Sequence, residues 1–105
     1  MIDRDLNQTT RRRGTVLKFI RQTHEDQGDR LNDLAIWGFM QDMGSTMSQR
    51  QVVTMLQDLQ VLGLISFEQS WSEERERYVI EKVMLTAAGL GITTRRKNTD
   101  EVRFD

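Results

Sequence analysis

At 105 residues, with 15 basic and 16 acidic side chains and a net charge of −1, the chain is long enough for one domain with a modest core. That balance is not the broad electropositive footprint of a protein that holds nucleic acid by bulk charge. The lack of cysteine excludes disulfides and thiolate metal sites and points to a reducing cytoplasm. No apolar run approaches the roughly 20 residues that span a bilayer, and the N-terminus is polar from Asp3 onward, so neither a membrane segment nor a signal peptide is expected.

Residues 1–8 read as an N-terminal arm. A first helix is predicted over residues 9–27, with Val16, Leu17, Ile20 and His24 turned inward and Gly28 closing it. Leu31 reads as a vestigial strand residue. Asn32 is the predicted N-cap of a second helix, with Asp33 in its first turn and Gly44 at its end. Leu34, Ile36, Trp37, Phe39, Met40 and Met43 cover too wide an arc for a helix that shows one side to water, so this helix is either central in the core or part of an interface. Gly44-Ser45-Thr46-Met47 is the short glycine-containing link that joins the two helices of a helix-turn-helix.

The third helix carries the strongest signals. Ser48 followed three residues later by Gln51 is a capping box, and Val52, Met55, Leu56, Leu59 and Leu62 recur at the spacing of one helical face. Gly63 supplies a left-handed stop. Two extended runs follow, residues 64–70 and 77–86, the second alternating around Tyr78, Ile80, Lys82 and Met84. They predict a hairpin. Its tip, residues 71–77, has no Asn-Gly or Asp-Gly, so a longer, mobile loop is expected. In Leu85-Thr86-Ala87-Ala88-Gly89, Thr86 would be the N-cap of a last short helix. The 94–105 tail is polar and predicted to be loosely ordered apart from Val102 and Phe104, which are expected to dock on a neighbouring subunit.

Charge is unevenly spread. Residues 1–24 carry six basic and two acidic groups, residues 25–45 one and five. Arg11, Arg12 and Arg13 open the first helix, where the helix dipole disfavours positive charge, and Arg95, Arg96 and Lys97 follow the last helix. Such a triplet is either a solvated helix face or a phosphate contact.

Catalytic chemistry has little to work with. One histidine, no cysteine and no glycine-rich phosphate loop leave no nucleophilic, metal or nucleotide constellation, so no enzyme and no cofactor are expected. His24 beside Glu25 and Asp26 reads more simply as a dipole partner near a helix C-terminus than as a general base. Glu73, Glu74 and Glu76 lack the pattern of a calcium loop and read as a solvated acidic tip. The six methionines are expected as core gap-fillers.

The polar-capped third helix with its Gly63-Leu64-Ile65 step into a strand, and the Leu85-Thr86-x-x-Gly89 step into the last helix, resemble winged helix-turn-helix domains, in particular regulators of the multiple-antibiotic-resistance and arsenical-repressor types. The resemblance covers residues 9–93 as a topology, with residue matches at those two places. It implies a mainly α fold with a small β-hairpin: a three-helix core, a two-stranded wing and a short C-terminal helix. The compact size and glutamine-rich polar face also resemble small accessory proteins of bacteriophages and prophages.

Setting Val52, Leu56 and Leu59 inward turns Arg50, Thr54 and Gln57 outward, with Ser48 and Gln49 at the N-terminal end; these residue types can read base edges in double-stranded DNA. The resemblance implies that this end of the helix enters the major groove, with Arg75 and Arg77 as wing contacts and Arg11, Arg12 and Arg13 as phosphate anchors. A homodimer, through the second helix or through the first helix and tail, would let two weak half-sites add. The competing expectation is a non-catalytic module that binds a protein partner through an apolar surface including Trp37, Phe39, Met40 and Trp71.

Overall fold

The computed structural model describes residues 2–27 and 30–104, with side chains for residues 8–24, 26 and 30–104. Four helices and one hairpin follow in order: α1 (Ile2–Gln27), α2 (Asp33–Asp42), α3 (Gln49–Val61), β1 (Ile65–Ser72), β2 (Arg77–Leu85) and α4 (Ala87–Arg95). Gly28, the predicted stop of α1, lies outside the described residues. α1 begins at Ile2 rather than after an eight-residue arm. Nothing in the sequence before Gly14 breaks a helix.

The caps decide where the inner helices start and stop. The Asn32 side chain accepts from the Ala35 N–H at 2.8 Å. In the capping box, Ser48 Oγ accepts from the Gln51 N–H at 3.1 Å and Gln51 Oε1 accepts from the Ser48 N–H at 2.8 Å. We expect Ser48→Ala to cost about 1 kcal/mol in urea denaturation; an unchanged midpoint would show that tertiary packing alone fixes the start of α3. Both α2 and α3 end in Schellman turns around glycines with positive φ. Ser45 N–H reaches Met40 O and Leu64 N–H reaches Leu59 O, while Gly44 and Gly63 adopt φ of 85° and 78°.

The core forms where α1 (Val16, Leu17, Ile20), α2 (Ile36, Met40), α3 (Val52, Val53, Met55, Leu56, Leu59) and the hairpin (Ile80, Val83) meet. His24, expected inward, is exposed. So is part of Leu62, because the chain turns back at Gly63 and Leu64 covers the core instead. Most of the apolar excess of α2 is absorbed within the chain: Met40 is buried, Phe39 stacks on Phe19 with centroids 4.0 Å apart, and half-buried Trp37 donates its indole N–H to Met47 O at 2.9 Å, whereas Met43, expected in the core, is 64% exposed at the helix end. Gln41 Nε2 donates to the same carbonyl, pinning the α2–α3 turn. Trp37, Phe39 and Met40 therefore form no exposed apolar patch.

β1 and β2 pair antiparallel from Ile65↔Leu85 to Ser72↔Arg77. Trp71 and Ser72 belong to the ladder, so the tip is a four-residue turn rather than a long loop; Glu76 takes φ of 52° and Ser72 Oγ accepts from the Arg75 N–H at 3.3 Å. A bulge opposite residues 66–68 places Lys82 at φ of 55° and shifts the alternation of β2 by one. Val83 is consequently buried where Met84 was expected, and its N–H is satisfied by Leu31 O at 2.9 Å, which gives Leu31 its strand-like role.

The two steps that carry the family resemblance touch each other. Thr86 Oγ1 caps α4 by accepting from the Gly89 N–H at 3.1 Å and donates to Gly63 O at 2.6 Å. Gly89 lies against Leu64 so closely that a Cβ there would overlap the Leu64 carbonyl. A glycine three residues after the capping threonine is thus required by backbone approach.

The tail corrects another expectation. Val102 and Phe104 are buried in the core of their own chain. Arg103 N–H donates to Thr10 O at 3.0 Å, and Asn98 Oδ1 accepts from the Phe104 N–H at 2.9 Å. Gly14 makes the crossing possible, since a Cβ there would overlap the Arg103 carbonyl. No described helix is long and apolar enough to cross a membrane.

Candidate functional site

α3 packs its apolar face inward and leaves Arg50, Thr54 and Asp58 exposed with Gln57 half-buried. This ridge runs between two grooves. The first, about 350 Å³, lies between α3 and the hairpin and is lined by Arg50, Thr54, Gln57, Trp71, Glu76 and Tyr78, among others. The second, about 300 Å³, lies between α3 and α1, with Thr9, Arg12, Arg13, Arg50, Thr54 and Asp58 around buried Met47 and Met55. The fold therefore brings Arg12 and Arg13 to the same ridge as Arg50 and Thr54, although Arg50 lies 37 positions after Arg13 in the chain.

The sequence candidates differ in what they are free to do. Arg13 Nη2 lies 3.5 Å from Asp58, Nη1 donates to Glu101 O at 3.1 Å, and its buried Nε has no hydrogen-bond partner among the described residues. Its charge is thereby largely committed to tying α1 to α3 and the tail. Arg11 and Arg50 are exposed and Arg12 half-buried, and among the described residues no carboxylate pairs with any of the three. Gln57 Nε2 donates to Gln69 Oε1 at 3.0 Å, linking α3 to β1 at the surface. Ser48 is occupied by its capping duty.

Arg77 is not a surface residue. It is 9% exposed and donates through Nη1 to Asp33 Oδ2 at 2.9 Å and to Tyr78 O at 2.8 Å, and through Nη2 to Gln49 Oε1 at 3.0 Å. Asp33 is 3% exposed, and its second oxygen accepts from the Ile80 N–H at 3.2 Å. One buried ion pair thus joins the start of α2, the start of α3 and the hairpin, and it takes both Arg77 and Gln49 out of the set available to a ligand. Sequence reasoning missed it. Asp33 is fully accounted for as a first-turn acid, and nothing local ties it to an arginine 44 positions away.

Arg75 stands on the turn and lines a shallow polar hollow with Asn32, Asp33, Glu74 and Glu81, on the other side of the hairpin from the α3 groove. On the α3 side, Trp71 and Tyr78 meet edge to face with centroids 5.3 Å apart and are 56% and 49% exposed. The widest groove of those described, about 440 Å³, lies elsewhere, between α1, the end of β2 and α4. Among the described residues it is lined by His24 with Arg21, Gln22, Ile20, Leu85 and Leu90, and by no carboxylate. Among the described residues no three His, Asp or Glu side chains gather as a metal site. Neither the family models nor the curated proteins compared with this chain include a match.

Proposed function

We propose that this is a winged-helix DNA-binding regulator that presents α3 to the major groove of duplex DNA and works in the cytoplasm as a homodimer. The observation that carries the reading is the α3 ridge: a helix capped at both ends, exposing Arg50 and Thr54, flanked by unneutralised Arg12 on one side and by a two-stranded hairpin on the other. α1, α2 and α3 with the hairpin and α4 have the element order of such a domain. The charge available to phosphates is small, since Asp58 and the tip glutamates offset it. Affinity for non-specific duplex should therefore be low with a shallow salt dependence, and two half-sites are needed for useful affinity. With the tail and most of α2 spent internally, exposed Met43, Val61, Leu62 and Leu90 remain for a dimer contact.

Fluorescence anisotropy of the protein against its native upstream DNA and a random duplex pool, at several salt concentrations, tests the reading. Salt-dependent binding with preference for the native DNA is the expected result. Flat titrations at low salt with a folded protein would overturn it.

A second reading has its own observation. Trp71 and Tyr78 are exposed as a pair on a hairpin whose turn carries Glu73, Glu74 and Glu76, a surface better suited to a protein partner than to a phosphate backbone. On that reading the anchors are Trp71 and Tyr78, and Trp71→Ala abolishes association while Arg50→Ala has no effect.

A further inference from the structure

We propose that the cleft between α1 and the N-terminal half of α3 is a phosphate site whose donors are Arg12 and Arg50, with Arg13 as the residue that positions its walls. This deepens the duplex reading and rests on it only for where the phosphate comes from.

The cleft, about 300 Å³ beside the buried Met47 and Met55, is lined by three arginines, Arg12, Arg13 and Arg50, and among the described residues by one carboxylate residue, Asp58. Asp58 is taken by Arg13, which also gives a hydrogen bond to Glu101 O. Arg12 and Arg50, from different helices, then line one hollow with no carboxylate paired to either among the described residues. Like charges lining one hollow favour a bound anion there. Planar guanidinium groups match phosphate oxygens in a bidentate fashion. Thr54 adds a hydroxyl-bearing side chain at the rim.

Either a diester of the DNA backbone or a free phosphorylated small molecule presents this chemistry. In the duplex case the site reassigns Arg50. Rather than reading a base edge, it grips the backbone strand that flanks α3, so its loss weakens all sequences alike.

The test uses the full-length 15N-labelled chain and follows the arginine Nε–Hε signals during titration with inorganic phosphate, with sodium chloride at matched ionic strength as reference, and then with a random-sequence duplex. Phosphate but not chloride should move the Arg12 and Arg50 signals. Arg12→Gln and Arg50→Gln should each weaken phosphate and duplex binding by about tenfold, on native and random DNA equally, and lower the duplex salt slope by about 0.9. The double variant should lose less than the product of the two, because both groups hold one anion. Arg12→Lys and Arg50→Lys, which keep the charge, should fall between and replace any glutamine variant that loses its cooperative melt. Phosphate binding with a flat duplex titration would keep the site, assign it to a free phosphorylated ligand and sink the duplex reading. Equal shifts from chloride and phosphate, duplex binding indifferent to both substitutions, or loss of preference at one base position in Arg50→Gln would overturn the site and leave the duplex reading standing. No binding of either would overturn both.

Discussion

Replacing Asp33 by alanine should destabilise the domain by about 3–5 kcal/mol, a large part of the stability of a chain this size. The carboxylate lies between the Arg77 guanidinium at 2.9 Å and the Ile80 N–H at 3.2 Å, and both charged groups are nearly inaccessible to water. Its removal leaves a buried arginine without its counter-ion and a buried strand N–H without an acceptor. An exposed pair such as Lys82–Glu68, 3.5 Å apart with both partners more than half exposed, contributes little by comparison. The asymmetry between single and double replacement identifies the mechanism. Asp33→Leu combined with Arg77→Met should recover most of the loss, because a desolvated pair costs nearly as much as it returns. Urea denaturation of the three variants measures this. A single-variant loss below about 1 kcal/mol would mean that water reaches the pair. Even a stable double variant should let Gln49 and the hairpin move independently, which would appear as broadened amide signals at the start of α3.

Gly14→Ala should be the second large effect, and its sign is the informative part. In an ordinary exposed helix interior this change stabilises by about 1 kcal/mol. Here the new methyl group would overlap the Arg103 carbonyl, so the tail must lift from α1 or α1 must bend. Lifting the tail exposes Val102 and Phe104, each contributing about 1.5–3 kcal/mol by its burial, and the expected loss is about 3 kcal/mol or more. Ending the chain after Asn98 should cost a similar amount and reverse the effect of Gly14→Ala, which becomes neutral or stabilising once nothing crosses the helix. Hydrogen exchange at residues 102–104 provides the local readout. A Gly14→Ala protein that melts at or above the parent temperature would show that the tail does not sit on its own α1. A melting temperature that rises with protein concentration would instead place the tail on a second copy.

Both predictions concern residues whose roles were hidden in the chain, whereas the inner helices were largely legible. Asn32, Ser48, Gln51, Gly44, Gly63 and Thr86 act on backbone groups within a few positions of themselves, so their roles can be read locally. The same holds for the buried face of α3, where 3.6-residue periodicity specifies Val52, Met55, Leu56 and Leu59 and leaves Arg50 and Thr54 outside. The candidate ridge was therefore visible in outline.

What failed did so for two physical reasons. Alternation in β2 went out of phase at Lys82, because a bulge inserts a residue without any glycine to announce it. Single side chains with two plausible environments were assigned the more common one. Arg77 read as a hairpin contact, Trp37 and Phe39 as a surface, and Val102 with Phe104 as an intermolecular latch, because charge and hydropathy state what a side chain prefers and not which partner lies within reach.

The sequence by itself determined the caps of α2 and α3, the start of α4, the hairpin and the outward face of α3, all of which follow from hydrogen bonds and periodicity over a few residues. Only the tertiary structure decided which arginines are free. Arg13 and Arg77 found carboxylates 45 and 44 positions away, while Arg12 and Arg50, paired with no carboxylate among the described residues, line one cleft. Ion pairing over such separations depends on how helices pack, and packing is a property of the whole chain at once.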